Sequence, residues 1–185
     1  MDLENGRALQ LVQLESGKVI TAGAVVLALG VQYRRLDIPG VNSFGVFYGA
    51  NPHEAKQWDQ KKIAVVGGAN SAGQCVAHYA GFCSDVYLLV RGAQLEMSHY
   101  LIERISGHAN VAVELGTQVV EINSKGNCLT LHLSDGRELE VDGLFLFIGA
   151  DPHTLWVKEQ GVQCDSKGFI LSGLAITRLD TTGLV

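Results

Sequence analysis

Residues 66–73 read VGGANSAG and follow directly on the run Lys62-Ile63-Ala64-Val65. Where a strand ends in small residues and turns into a helix, the first helical N–H groups are unpaired and carry about half a positive charge between them, which favours an anion. Gly67, Ala69 and Ala72 occupy the three positions at which such a turn needs small residues. The first permits a sharp turn, the second lets backbone approach a pyrophosphate, and the third lets the helix pack on the strand. This G-x-A-x-x-A variant predicts a phosphate cradle built from Gly67, Gly68, Ala69, Asn70, Ser71 and Ala72. A site for NAD(H) places Asp or Glu at the end of the next strand to take the ribose hydroxyls. Here that strand ends Val90-Arg91-Gly92, with no carboxylate before Glu96. The donor fork of Arg91 suits a 2′-phosphate, so the expected ligand is NADP(H).

These residues require a strand–turn–helix–strand frame, and the surrounding sequence supplies one. Residues 62–66 read as a strand, and Asn70–Ala80 as a helix with Ala72, Cys75, Val76, Tyr79 and Ala80 on one face. Gly81 follows where a left-handed helix end would use glycine. DVYLLV (85–90) is the next strand, Ser98 is placed to cap a helix over HYLIERI, and NVAVEL (110–115) is a further strand. Alternation at Leu129, Leu131 and Leu133 predicts half-buried hairpin strands. The expected class is α/β: a three-layer, Rossmann-like domain whose parallel sheet is followed by an antiparallel β-meander over about 117–141.

A second copy of one segment lies 119 residues away. LVQLESGKVITAGAVVLALG (11–30) aligns with TLHLSDGRELEVDGLFLFIG (130–149), each a hairpin followed by an apolar run ending in glycine. Val25–Leu29 and Leu144–Ile148 are therefore both expected to be buried core strands. The glycine loop belonging to the first copy would fall before Met1, so the chain is read as one whole dinucleotide-binding unit plus the tail of another. The expected segments are 1–44 from the first domain, 45–150 as the nucleotide domain, and 151–185 returning to the first. Apolar strand ends exposed by such a division would favour self-association, hence a homodimer.

Composition limits the alternatives. The chain has 185 residues, 47% hydrophobic and 18% charged, with a formal charge of −5 and scattered Lys and Arg, which argues against nucleic acid. No apolar run approaches the ~18 residues of a membrane span. Cys75, Cys83, Cys128 and Cys164 form neither a C-x-x-C pair nor a metal-type spacing, which suits a reducing compartment and makes the cytoplasm the expected location. The six histidines have no partner fixed by spacing and read as ordinary surface residues. Trp58 and Trp156 are expected to pack where the two domains join.

Together these segments resemble the two-dinucleotide flavoproteins of the thioredoxin reductase family. VVLALGVQYRRLDIPGV (25–41) is similar to that family's A-T-G strand end and L-x-I-P-G crossover, with Leu29 in place of threonine. KIAVVGGANSAGQ (62–74) is similar to its NADPH loop, LFLFIGADPHT (144–154) to the strand closing the NADPH domain, and GFILSG (168–173) to the return into the FAD domain. NSAGQ, the run from LLVRG to the RI of residues 104–105, and FIGADPHTLW resemble a branch often joined to a cyclic-nucleotide-binding domain. The resemblance implies a cofactor role for Gln74, Ile148 and Gly149, and an FAD-side remnant at Ala28, Leu29 and Gly30. It implies hydride transfer from NADPH to FAD, with the final electron acceptor open. The family's redox C-x-x-C is replaced by Gly49 and Pro52 within GVFYGANPHEA (45–55), so dithiol relay chemistry is not expected. FAD is expected in the parent protein rather than on this chain, because its glycine loop and its C-terminal G-D motif would lie outside 1–185. Tyr48 is a candidate neighbour of a flavin. The alternatives are a ferredoxin- or flavodoxin-NADP reductase of the same fold, and a non-catalytic nucleotide-binding module.

Overall fold

The computed structural model describes residues 2–4 and 7–173. Five strands form one parallel sheet in the order β5 (Val46–Tyr48), β12 (Gly143–Leu146), β6 (Lys62–Val66), β7 (Asp85–Val90) and β8 (Val111–Leu115). Helices α1 (Asn70–Tyr79) and α2 (His99–Ser106) and a 3-10 helix (Pro52–Trp58) cover one face. The antiparallel meander β9 (Val119–Lys125), β10 (Cys128–Leu133) and β11 (Glu138–Val141) covers the other. All of this lies in a compact unit, Tyr33–Ala150; the described residues on either side of it make up a second unit.

The three layers follow from how the strands present their side chains. Successive residues of β6 face opposite ways, so Ile63 and Val65 join the helix-side core while Ala64 joins the meander-side core. Leu88 and Leu89 divide in the same way, as do Phe145 and Leu144. A strand covered on both faces is apolar throughout, and every residue of β12 is buried. The alternating leucines of β10 point Leu129, Leu131 and Leu133 into the meander-side core. The expected apolar face of α1 is likewise buried at Ala72, Cys75, Val76, Tyr79 and Ala80.

In the second unit β1 (Asp2–Glu4), β2 (Arg7–Gln13) and β3 (Val19–Ala22) form an antiparallel sheet, and α3 is a short helix (Leu155–Glu159). Strands β4 (Val31–Tyr33) and β13 (Ala150–Pro152) pair with one another. The hairpin turn reproduces the repeat at atomic level. Leu14 N–H donates to Lys18 O and Gly17 N–H to Leu14 O, just as Leu133 N–H donates to Arg137 O and Gly136 N–H to Leu133 O. Both turn glycines have positive φ, 80° and 84°.

Four local expectations are corrected. Val25–Leu29 is not a buried strand: it has no regular structure, and Val26 is 91% exposed. No described strand pairs with it, and apolar backbone is buried in a sheet only where a ladder partner exists. Gly81 does not enter the left-handed region; α1 instead runs out through αR at Ala80, with the Phe82 and Cys83 N–H groups both donating to Tyr79 O. Ser98 stands at the N-cap of α2 without a side-chain cap bond, because the fold gives that helix a different anchor, described below. Trp58 packs inside the Tyr33–Ala150 unit, edge-on to Phe47 and Phe145 at 5.6 and 5.1 Å.

Three elements carry no clear signal in the sequence. Strand β5 is three residues long between glycines, the 3-10 helix is polar, and α3 is barely more than one turn. The 3-10 helix owes its start to Asn51, whose side chain accepts from His53 N–H at 3.1 Å, and to Pro52 with its preset φ.

Candidate functional site: a glycine turn at the carboxyl edge of the sheet

All five strands of the sheet are parallel, so their carboxyl ends share one edge. Chain order runs from β6 outward to β7 and β8, then returns to β12 on the other side of β6. Doubly wound sheets take ligands beyond the strand ends at such a reversal. At that edge β6 leads into Gly67–Ala72, β7 into Arg91, and β12 into Ile148 and Gly149.

Gly67 has φ of 146°, a conformation reserved for glycine, and an added Cβ would lie 2.6 Å from Phe147 O and 3.1 Å from the Ala72 methyl. Its N–H donates to Leu89 O at 3.1 Å, while Phe147 N–H donates to Val66 O at 2.8 Å, so the turn is clamped between β7 and β12. Ala72 is buried beneath it. Ala69 is the N-cap of α1 with extended backbone and no side-chain cap bond, and the first turn holds no acidic residue. Ala69, Asn70, Ser71 and Gln74 are exposed, and Gly67 and Gly68 half-buried. A helix of this length with an uncapped, solvent-facing start and a small-residue turn is suited to an anion.

Asn70 serves a second purpose that the sequence did not disclose. Its Oδ1 accepts Ser98 N–H at 2.8 Å, which ties the start of α1 to the start of α2. Between them residues 91–98 fold back onto the glycine turn: Glu96 N–H donates to Gly68 O at 2.8 Å, and Ala69 and Glu96 form a parallel bridge. Beneath this loop Gly73 leaves room for Met97 and Leu101; a Cβ there would come 2.6 Å from Met97 Sδ. No local signal announces contacts between residues about 28 positions apart. Arg91 is exposed and, among the described residues, makes no hydrogen bond or ion pair.

Residues 2–173 match the pyridine nucleotide-disulphide oxidoreductase family. The chain belongs to that family. It is 34% identical over 166 residues to thioredoxin reductase of Pneumocystis carinii, covering 82% of this chain and 50% of the relative. It is 29% identical over 179 residues to the F component of alkyl hydroperoxide reductase from Staphylococcus aureus strain MRSA252, covering 92% of this chain and 35% of the relative. The crystal structure of Lactococcus lactis thioredoxin reductase superposes with a TM-score of 0.68 at 21% identity, over 92% of this chain and 58% of that one, which shows a shared fold. The chain thus spans about a third to a half of these curated relatives.

Against that family background, the remaining positions separate. Gly149 has φ of 99° beside the Arg34 side chain, and its O accepts Arg34 N–H at 3.0 Å. Ile148 is half-buried. In the second unit Ala28 and Gly30 are exposed and Leu29 half-buried, in the irregular stretch that replaces the expected strand. Tyr48 is engaged in holding the crossover: its OH accepts Leu36 N–H at 3.1 Å, and Arg35 lies 4.6 Å over its ring. The turn at Gly49–Pro52 is pinned from α1, with Tyr79 OH donating to Asn51 O and His78 Nε2–H to Pro52 O, each at 3.1 Å.

The four thiols are free and none lies in the site. Burial, reinforced by the neighbouring Cys83, pushes Cys75 up to about 12, and burial with the charges of Asp59 and Asp142 does the same to Cys83. Such thiols are protonated and unreactive near neutrality. Among the described residues no group of three metal-binding side chains assembles, and no helix is long and apolar enough to cross a membrane.

Proposed function

We propose that this chain is the NADPH-binding portion of a flavin-dependent oxidoreductase similar to thioredoxin reductase, working without a redox-active disulfide. One observation carries the reading. The solvent-facing start of α1, with its glycine-only turn, stands at the same sheet edge as an unpaired arginine. A dinucleotide fits these residues, because Gly67 gives the turn, Ala69 and Ser71 leave backbone N–H groups open, and Ala72 keeps the helix tight on β6. The pyrophosphate would be held by the N–H groups of the turn and first helical residues that the Glu96 loop leaves open, and the 2′-phosphate by Arg91. Ile148, Gly149 and Gln74 would border the nicotinamide half.

When bound, the nicotinamide supplies a hydride, and FAD in the parent protein is the group that takes it. The residues here bind and orient: the clamped turn presents donors already in place, so little ordering is required on binding. The dithiol step of related reductases has no counterpart in Gly49–Pro52. On this reading the electron acceptor is a group other than a disulfide relayed through this loop.

Titration of the purified chain with NADPH and NADH tests the reading. Arg91 is exposed, so its loss should cost about 1.5 kcal/mol, the low end for a charge-assisted bond, and Arg91→Ala should weaken NADPH roughly tenfold while leaving NADH unchanged. Equal losses for both dinucleotides, or no binding of either, overturn it. The absorption spectrum of the same sample reports whether flavin is retained, and bleaching by NADPH separates an electron-transfer unit from a nucleotide-binding module.

A further inference from the structure

We propose that Glu96 is a specificity-determining residue of this nucleotide site, acting against the 2′-phosphate and so narrowing the preference for NADPH that Arg91 creates. The inference rests on the dinucleotide reading above. Its basis is the fold-back of residues 91–98. The Glu96 N–H bond to Gly68 O and the Ala69–Glu96 bridge place the Glu96 backbone directly beside the glycine turn. The Asn70 bond to Ser98 N–H fixes the same loop two residues further on. In sequence Glu96 lies beyond the strand-end position that normally reads the ribose, but the loop carries it back to the cradle.

Its charge is not spent elsewhere. Glu96 is exposed and, among the described residues, forms no ion pair with Arg91 or any other cation. The first turn of α1 contributes no acidic residue, and Glu96 is the acidic residue whose backbone the loop brings beside that helix start. A 2′-hydroxyl donates to a carboxylate, whereas a 2′-phosphate is repelled by it. Arg91 and Glu96 therefore push cofactor choice in opposite directions from one loop. Glu96 also precedes the start of α2, where a negative charge favours that helix dipole, a structural effect on stability. Only the role at the nucleotide changes a ratio of affinities.

The test is titration of the full chain, its Glu96→Gln variant and its Glu96→Lys variant with NADPH and with NADH at low ionic strength, alongside thermal unfolding. Removing an exposed like charge should tighten NADPH roughly two- to fivefold and NADH by less, because only NADPH carries the additional phosphate. Reversing the charge should enlarge the change in ratio, and added salt should erode it. An unchanged NADPH-to-NADH ratio in both variants overturns the assignment, whatever happens to the unfolding temperature. A wild-type chain that binds neither dinucleotide overturns the nucleotide reading and this inference with it. One that binds both, with an unchanged ratio in the variants, overturns this inference alone.

Discussion

Substituting Gly67→Ala isolates the turn on which the site depends. At φ of 146° the residue occupies backbone space essentially closed to a side chain, which costs about 1–3 kcal/mol. The new methyl would also stand 2.6 Å from the Phe147 carbonyl oxygen, and that oxygen belongs to the backbone immediately after β12, in the centre of the sheet. Relieving such overpacking costs about 1–3 kcal/mol more. The expected loss is about 2–6 kcal/mol, a large part of the stability of an ordinary domain. Followed by circular dichroism, it should lower the unfolding temperature by on the order of 10–20 °C. Gly68→Ala is the control. Gly68 has no positive φ, and its Cβ would stand 3.0 Å from Cγ1 of buried Val90, so only a modest overpacking cost of about 1 kcal/mol is expected. If Gly67→Ala unfolds within about 2 °C of wild type, the turn is not the clamped, glycine-dependent element that these contacts imply, and its fit to a pyrophosphate loses its physical basis.

Other perturbations probe the layers around the site. A methyl on Gly143 would overlap the Trp58 ring, which Phe47 and Phe145 hold edge-on, so Gly143→Ala should cost about 1–3 kcal/mol by urea denaturation. Trp58→Leu in the same chain should recover part of that loss, and strict additivity of the two would refute the contact. Native protein should offer Cys128 and Cys164 to a thiol reagent and release Cys75 and Cys83 only on unfolding; fast labelling of Cys75 would contradict its burial. The same two buried thiols set an alkaline limit. Their folded values of about 12 exceed the unfolded value of ~8.5, so above pH ~9 the unfolded chain sheds protons that the folded chain keeps. Stability is complete below that range and should fall as pH rises from ~9 to 12. Buried Tyr79, also pushed up to about 12, adds to the fall, and a flat profile would refute it.

The sheet and its covering layers were legible because their signals are local. Ile63–Val66, Asp85–Val90 and the alternating leucines of 129–133 carry strand periodicity in their own sequence, and α1 carries its buried face at helical spacing. The glycine turn was legible for the same reason: its small residues sit where the turn needs them. Strand β5 was not, since three residues between glycines show no period, and its strand character comes from the ladder with Leu144–Leu146.

What the sequence left open was pairing across distance, and this governs the site as much as the fold. Val25–Leu29 and Leu144–Leu146 are comparably apolar, yet one is exposed and irregular while the other is buried. The difference lies in the neighbours: Leu144–Leu146 has β5 on one side and β6 on the other, and Val25–Leu29 has no described strand on either. Apolarity states what a segment can exchange for water; a ladder partner decides whether the exchange happens. The same reasoning applies to charge at the carboxyl edge of the sheet. Read along the chain, Arg91 stands alone at a strand end and Glu96 is a distant afterthought. In space, the bonds from Glu96 to Gly68 and from Ser98 to Asn70 bring the backbone of the loop that follows Arg91 back onto the glycine turn. On the proposed nucleotide reading, cofactor choice would then follow from the folded loop, and the residue type at the strand end would not specify it alone.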